Sequence, residues 1–250
     1  MSRVGRESGA ALQRKAAAQL VLGRHGGEGT LSTTQTEHLL HWASHPWNFL
    51  TGVDPLNDNR PIYWTKDERD KANPTKCFPW YWEYLYHFTD LIHRDGLVVV
   101  QKSRQMFVTT VTLGYILWDC LFGEARRWLI SKITEDDAVE LLRDKIRYPY
   151  GKLPAWFREL YPASESPANR MEFSGTDSYI RAVAENAAIG DMRGGTASGV
   201  LVDEAAFQRE YQKIWNAANP MAAKIIAVST PEIGNPGARF MKRQLTETLE

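Results

Sequence analysis

Residues 97–122 read LVVVQKSRQMFVTTVTLGYILWDCLF. A short apolar run bounded by turn signals predicts a buried parallel strand at 97–101. A tight polar turn follows, and the next apolar stretch predicts a helix from about Thr109 to Phe122. A strand that turns sharply into a helix is where phosphate-binding loops occur. The usual signature, G-x-x-x-x-G-K-[ST], is missing, because Phe107-Val108 stand where its Gly-Lys pair would be. The stretch is therefore either a phosphate site with its lysine moved or an ordinary strand–helix corner with solvated charges.

The whole chain bounds the choice. Its 250 residues are 43% hydrophobic and 24% charged, the range of a globular protein with a full core. Thirty basic residues balance thirty acidic ones, which neither supports nor excludes a local basic surface for nucleic acid. The two cysteines, Cys77 and Cys120, have no metal-ligand spacing and make no secreted disulfide framework, so a reducing compartment is expected. No apolar run reaches the length of a membrane span, and no membrane partner is expected.

Outward from residues 97–122 the pattern is one of alternation. Residues 1 to about 32 are rich in Gly, Ala and Arg and read as a loosely ordered segment. TTQTEHLLHWASHPWNFL (33–50) predicts a short helix with Thr34 as N-cap and Glu37 three residues on. FPWYWEYLYHFTDLIHRD (78–95) reads as an aromatic amphipathic helix. RRWLISK (126–132) is a second strand, and residues 134–160 predict a helix that stops at Pro149, with a short piece after Pro154. Residues 169–185 predict a hairpin about a Ser-Gly-Thr-Asp turn. SGVLVDEAAF (198–207) and AKIIAVSTP (223–231) are two more apolar strands with polar ends. The alternation implies an α/β fold with a mainly parallel central sheet flanked by helices, and a small N-terminal helical or irregular appendage. The expected division is 1–45 for that appendage and 46–250 for the main domain.

A parallel α/β sheet binds its ligand beyond the carboxyl ends of its strands. Three polar clusters fall there. In the first, residues 101–110, a helix N-terminus offers free N–H groups to phosphate oxygens. Thr109 or Thr110 supplies a hydroxyl for Mg²⁺, and Lys102, at the start of the loop, reaches the phosphates as a flexible point charge. Arg104 is a second cation. In the second cluster Asp203 can hold a magnesium shell and Glu204 can orient and deprotonate a water; alternatively the two acids cap a helix beginning near Ala205. The third is Ser229-Thr230-Pro231. Clusters one and two together favour a nucleoside triphosphatase.

With these residues in hand, the chain resembles the large terminase subunit of tailed bacteriophages. That family's loop often carries its lysine early, as K-[SA]-R-Q-[ML]-x-x-[ST], and here Lys102-Ser103-Arg104-Gln105-Met106-Phe107-Val108-Thr109 match it. RGGTASGVLVDEAAF (193–207) and VSTP (228–231) match two further family motifs. Family members often have glycine where Phe107 stands, and Phe disfavours the positive φ such a glycine permits.

The resemblance implies a P-loop NTPase of the ASCE class, in which an extra strand lies between the two nucleotide motifs. It implies ATP and Mg²⁺ as ligands, with the nucleotide on residues 102–110. Thr109 and Asp203 are then the metal ligands and Glu204 the catalytic acid–base residue. Arg193 is an arginine finger toward a neighbouring subunit, or alternatively a structural arginine. Phe78, Trp80 and Trp82 pack on adenine, or form a core helix face. Ser229, Thr230 and Pro231 couple phosphate loss to movement. The implied partners are double-stranded DNA, a homo-oligomeric ring, a portal protein and a small terminase subunit, in the cytoplasm of an infected bacterial host. The motor half is expected alone, with the family's nuclease domain absent from this chain. Two rivals stay open: a superfamily-2-like helicase or translocase, which expects a second motor domain, and a non-hydrolysing nucleotide-binding scaffold.

Overall fold

The computed structural model describes residues 31–67, 70–164, 167–193 and 195–247, with the backbone alone at 192 and 193. The loosely ordered segment expected before residue 31 lies outside the described residues. In chain order, helices α1 (Thr33–Ser44) and α2 (Pro46–Leu50) lead into two small antiparallel ribbons. The first pairs β1 (Val53–Asp54) with β2 (Arg60–Pro61), the second β3 (Trp64–Lys66) with β4 (Thr75–Cys77). Next come α3 (Glu83–Arg94), β5 (Leu97–Gln101), α4 (Val108–Phe122), β6 (Arg127–Lys132) and α5 (Glu135–Leu142). A π turn (Arg143–Arg147), α6 (Tyr148–Lys152) and α7 (Ala155–Leu160) follow. The second half holds β7 (Ala163–Ser164), β8 (Arg170–Phe173), β9 (Ser178–Ala184), α8 (Glu185–Arg193) and β10 (Gly199–Asp203). A 3₁₀ turn (Ala205–Phe207), α9 (Tyr211–Ala218), β11 (Ile225–Ser229) and α10 (Pro236–Glu247) complete it.

The central sheet has seven strands in the order β5-β11-β10-β6-β9-β8-β7. The first five run parallel, and β8 and β7 extend the sheet antiparallel as the expected hairpin and its neighbour. β11 therefore lies between β5 and β10, the strands that deliver the two candidate nucleotide motifs. Successive residues of a strand point to opposite faces, and both faces here are covered. Leu201, Ile226 and Val228 pack into the core shared with α1–α4, while Val200, Val202, Ile225 and Ala227 join α8, α9 and α10 on the other side. That is why these strands read as unbroken apolar runs rather than as alternation.

Helix α4 is the spine of the first layer. Every residue from 108 to 122 is buried except Thr109. A helix apolar on all sides is one that the core surrounds. Its polar atoms are used inside: Trp118 Nε1 donates to Trp42 O at 2.9 Å, and Asp119 accepts from Trp128 Nε1 at 2.9 Å. Leu39, Trp42 and Ala43 of α1 are fully buried in the same core, so the first of the described helices is packed into it.

Three local expectations are corrected. The N-cap of α1 is Ser32, with Gln35 closing a reciprocal capping box, because those two side chains have the spacing the box requires. The aromatic helix starts at Glu83, so Phe78–Trp82 precede it. The helix after Thr134 does not stop at Pro149. Pro149 has no N–H to give, and the turn before it widens to π spacing, with Tyr148 N–H bonded to Arg143 O.

Gly199 opens β10 beneath the indole of Trp128, and a Cβ there would meet ring atoms at 2.3 to 2.7 Å. The ring is buried and tied to Asp119, so it cannot step aside. Gly199→Ala should destabilise the fold by about 1–3 kcal/mol through overpacking, read as a lower denaturant midpoint at unchanged slope.

Candidate nucleotide site

The carboxyl ends of β5, β6 and β10 open onto a cleft of about 1310 Å³. It is lined on one side by Lys102, residues 105–110, Lys132, Asp203 and Glu204, and on the other by the β3–β4 ribbon and the α5–π segment. At its floor Thr109, the one residue of α4 left partly open, donates its hydroxyl to Asp203 Oδ1 at 3.0 Å. Lys132, the last residue of β6, sends its ammonium to Asp203 Oδ2 at 3.1 Å and to Glu204 Oε2 at 3.0 Å. Burial alone would lower the Lys132 pKa, but the two carboxylates beside it outweigh burial and raise it. Neither acid caps the turn that follows, which has no side-chain cap bond.

The loop between β5 and α4 is held by backbone conformation. Gln105 and Phe107 have φ of 68° and 54°, the left-handed region that non-glycine residues rarely enter. Phe107 thus adopts the conformation that a glycine would supply, and its ring is fixed edge-on against Trp82 at 5.3 Å. Tyr84 adds a hydrogen bond from its hydroxyl to Met106 O at 3.1 Å. Helix α4 then begins with no side-chain cap, leaving its first turn directed at the cleft. Glu204 is left-handed too, at φ 57°.

The donor set is hard oxygen: one hydroxyl and one carboxylate. Among the described residues no three metal-ligating side chains cluster. A divalent magnesium ion needs no such cage, since it keeps waters and takes one or two protein oxygens together with phosphate oxygens. The residues present fit it.

No protein-family model matches the chain, and no curated protein does. Solved structures do. The large terminase of bacteriophage HK97 superposes with a TM-score of 0.52 at 10% identity over 70% of this chain and 38% of its own. The fold is that of the phage large terminases. The large-terminase ATPase domain of Thermus phage P74-26 matches with a TM-score of 0.43 at 18% identity, over 60% of this chain and 66% of that one. A large terminase from another thermophilic bacteriophage matches at 0.42 and 16%, over 56% and 35%. The match thus spans little more than a third of the length of the HK97 chain and of the last of these chains.

Within this terminase fold, the residues singled out in the sequence separate into groups. Lys102, Gln105, Met106, Phe107, Val108, Thr109, Thr110, Trp82, Asp203 and Glu204 share one cleft. Ser103 and Arg104 are exposed and outside its lining. Phe78 is in the core against Trp47 and Tyr63, and Trp80 is exposed and outside the lining, so of the three aromatic candidates Trp82 alone lines the cleft. Arg193 ends α8, and its side chain lies outside the described residues. Ser229 is buried behind the floor. Its carbonyl accepts from Lys102 N–H at 2.9 Å and its hydroxyl from Ala206 N–H at 3.1 Å, so one residue touches the start of the first motif and the chain just after the acid pair. Thr230 accepts from the Ser229 hydroxyl, and Pro231 is exposed.

Two residues that hold the acid strand end in place are not evident in the sequence. Lys132 looked like the polar end of a strand. Gln208, fully buried, donates to Ser131 O at 3.0 Å and to Asp203 O at 2.7 Å while accepting from Ser131 Oγ at 2.8 Å. It ties β6 to β10 where their hydrogen-bond ladder ends. Only strand adjacency reveals either residue.

The far wall of the cleft is pinned by charge. Asp144, buried in the π turn, takes Arg143 Nη2 at 2.7 Å and Lys66 Nζ of the ribbon at 2.6 Å, and Lys145 Nζ donates to Lys66 O at 2.8 Å. The Arg143 hydrogen bond, aided by Lys66 and opposed by burial, lowers the Asp144 carboxyl to about 2. Its folded value is below the ordinary 3.8, so the stabilisation is complete above that value and is lost as pH falls through about 2. Asp144→Asn should lower stability at neutral pH by about 2 kcal/mol or more. It should also flatten the dependence of unfolding free energy on pH between about 4 and 2. Denaturant titrations across that range check both.

Proposed function

We propose that this chain is the ATPase motor domain of a phage large terminase, hydrolysing ATP with Mg²⁺ to drive double-stranded DNA into a procapsid. The observation that carries the reading is the 3.0 Å contact between Thr109 and Asp203. These residues are 94 positions apart and come from two motifs read independently as a phosphate loop and an acidic strand end. Sheet topology brings the two strand ends near each other, but a solvated strand–helix corner and a pair of capping acids would not call for this side-chain contact across the intervening strand.

In this reading the first turn of α4 and the Lys102 ammonium bind the phosphates. Thr109 and Asp203 would hold the magnesium ion, which when bound neutralises charge developing on the β- and γ-phosphate oxygens. Glu204 takes a proton from a water as the water oxygen bonds to the γ-phosphorus. The bond from that phosphorus to the bridging oxygen breaks, and ADP leaves with the electron pair. Trp82, already against Phe107, is the aromatic candidate for the base. Ser229, with Thr230 and Pro231, carries the change at the phosphates to β11 through its bonds to Lys102 and Ala206. Arg193 acts across a ring of identical subunits. A portal protein and a small terminase subunit are the further partners.

Glu204→Gln should bind ATP like the parent and lose at least about a hundredfold in turnover, since the carboxylate serves the water and not the nucleotide. Parent-like hydrolysis by this variant would move the base elsewhere. Lys102→Ala should weaken both ATP binding and turnover, measured by nucleotide titration and phosphate release. If Arg104→Ala cripples the site while Lys102→Ala is silent, the moved lysine is misassigned. A parent protein that binds ATP and never hydrolyses it in any assembly would instead fit the scaffold reading.

A further inference from the structure

We propose that Lys132 is the positioning residue of the acid pair: a resident counter-cation that aims Glu204 at the cleft and competes with the divalent ion for Asp203. The inference rests on the nucleotide-site reading and deepens it. Lys132 belongs to none of the motifs that identify the site.

The geometry supports this in three ways. First, Lys132 is placed by the sheet. Ser131 pairs with Val202 in parallel register, so the next residue of β6 stands beside Asp203 at the carboxyl edge. Second, its ammonium is boxed in. The side chain is 10% exposed, and it bridges a buried carboxylate and a half-exposed one at 3.1 and 3.0 Å. Third, Glu204 depends on it. Glu204 sits on a left-handed backbone with its side chain 46% exposed, and among the described residues Lys132 is the one side chain its carboxylate touches. A carboxylate that must hold a water in line cannot be free to swing into solvent.

The same contacts set a charge balance. Two carboxylates face one ammonium, and Asp203 divides its oxygens between Thr109 and Lys132. A divalent cation arriving beside Asp203 meets a positive charge a few ångströms away, and like charges at that range oppose one another even in a partly solvated cleft. Lys132 therefore stabilises the empty site and weakens its hold on a metal. A lysine that served the fold alone would oppose the metal in the same way but would leave kcat unchanged in a folded variant, so the two readouts are taken together.

The test is Lys132→Met, which keeps length and volume and removes the charge. Isothermal titration of Mg²⁺ with a non-hydrolysable ATP analogue, and of Mn²⁺ with the protein alone, reads the first consequence. Divalent affinity should rise by about tenfold as the opposing charge disappears. Steady-state hydrolysis reads the second: kcat should fall by about a hundredfold from loss of aim, with the Kd for nucleotide at saturating Mg²⁺ within about threefold of the parent. Thermal melting without ligand reads the third, a lower midpoint because Asp203 and Glu204 are left uncompensated.

Unchanged or weaker divalent affinity in folded Lys132→Met protein overturns the proposal, as does unchanged kcat. If Lys132→Met does not fold, Lys132→Met combined with Glu204→Gln relieves the repulsion and is measured instead, against Glu204→Gln alone. The double variant must still bind Mn²⁺ more tightly. Failure of the parent itself to bind Mg²⁺ with the ATP analogue overturns the nucleotide-site reading, and this inference with it. Parent binding without the Lys132 effects overturns the inference alone.

Discussion

The order of strands at the centre of the sheet constrains everything else. Because β11 lies between β5 and β10, the loop after β5 and the acids after β10 are held one strand apart. Their side chains must cross that gap to act together. Thr109 does so from the first turn of α4, which is possible because α4 is buried along the rest of its length and cannot rotate. Ser229, at the end of the intervening strand, is bonded to both sides. The cleft is thus a product of sheet topology and helix burial before it is a product of any motif.

A polar floor under an apolar core is costly unless its groups are paired. Here the pairing is continuous: Gln208 satisfies Ser131 and the Asp203 carbonyl, Lys132 joins the two acids, and Ser229 takes the amide of Ala206. The network also fixes register, since a one-residue slip of β6 would remove both Ser131 and Lys132 from the partners they meet. Charge pairs on the opposite wall act separately, through Asp144 and Lys66, so the two sides of the cleft are held by independent means.

The strands that build the sheet were legible because both of their faces are buried, which makes them unbroken runs such as VLVD and IIAVS. The three polar clusters were legible because α/β folds place chemistry at strand ends. Less legible was whatever depends on neighbours across the sheet. Lys132 is one lysine after an apolar strand, and Gln208 is one glutamine in a turn. Phe107 runs against backbone preference and is held by Trp82, a contact no local pattern contains. Pro149 looked like a helix stop because a π turn cannot be read from spacing. The aromatic stretch at 78–82 was visible as a group, but its division between core, solvent and cleft follows from where α3 begins.

Gln105, Phe107 and Glu204 all hold left-handed backbone without being glycine, and all three border the cleft. Such a conformation costs roughly 1–2 kcal/mol at each residue relative to its preferred state. Part of the stability available by relieving backbone strain therefore lies at the cleft, beside that at Asp58, Asn59, Ala125 and Asp177 elsewhere. Under selection for robustness alone, by heat challenge or by expression level, glycine would be favoured at Gln105 and Glu204, relieving the backbone while discarding the side chains. Because glycine at Glu204 would relieve the backbone and remove the carboxylate together, a directed-evolution campaign on this domain would have to select for stability and for activity at once.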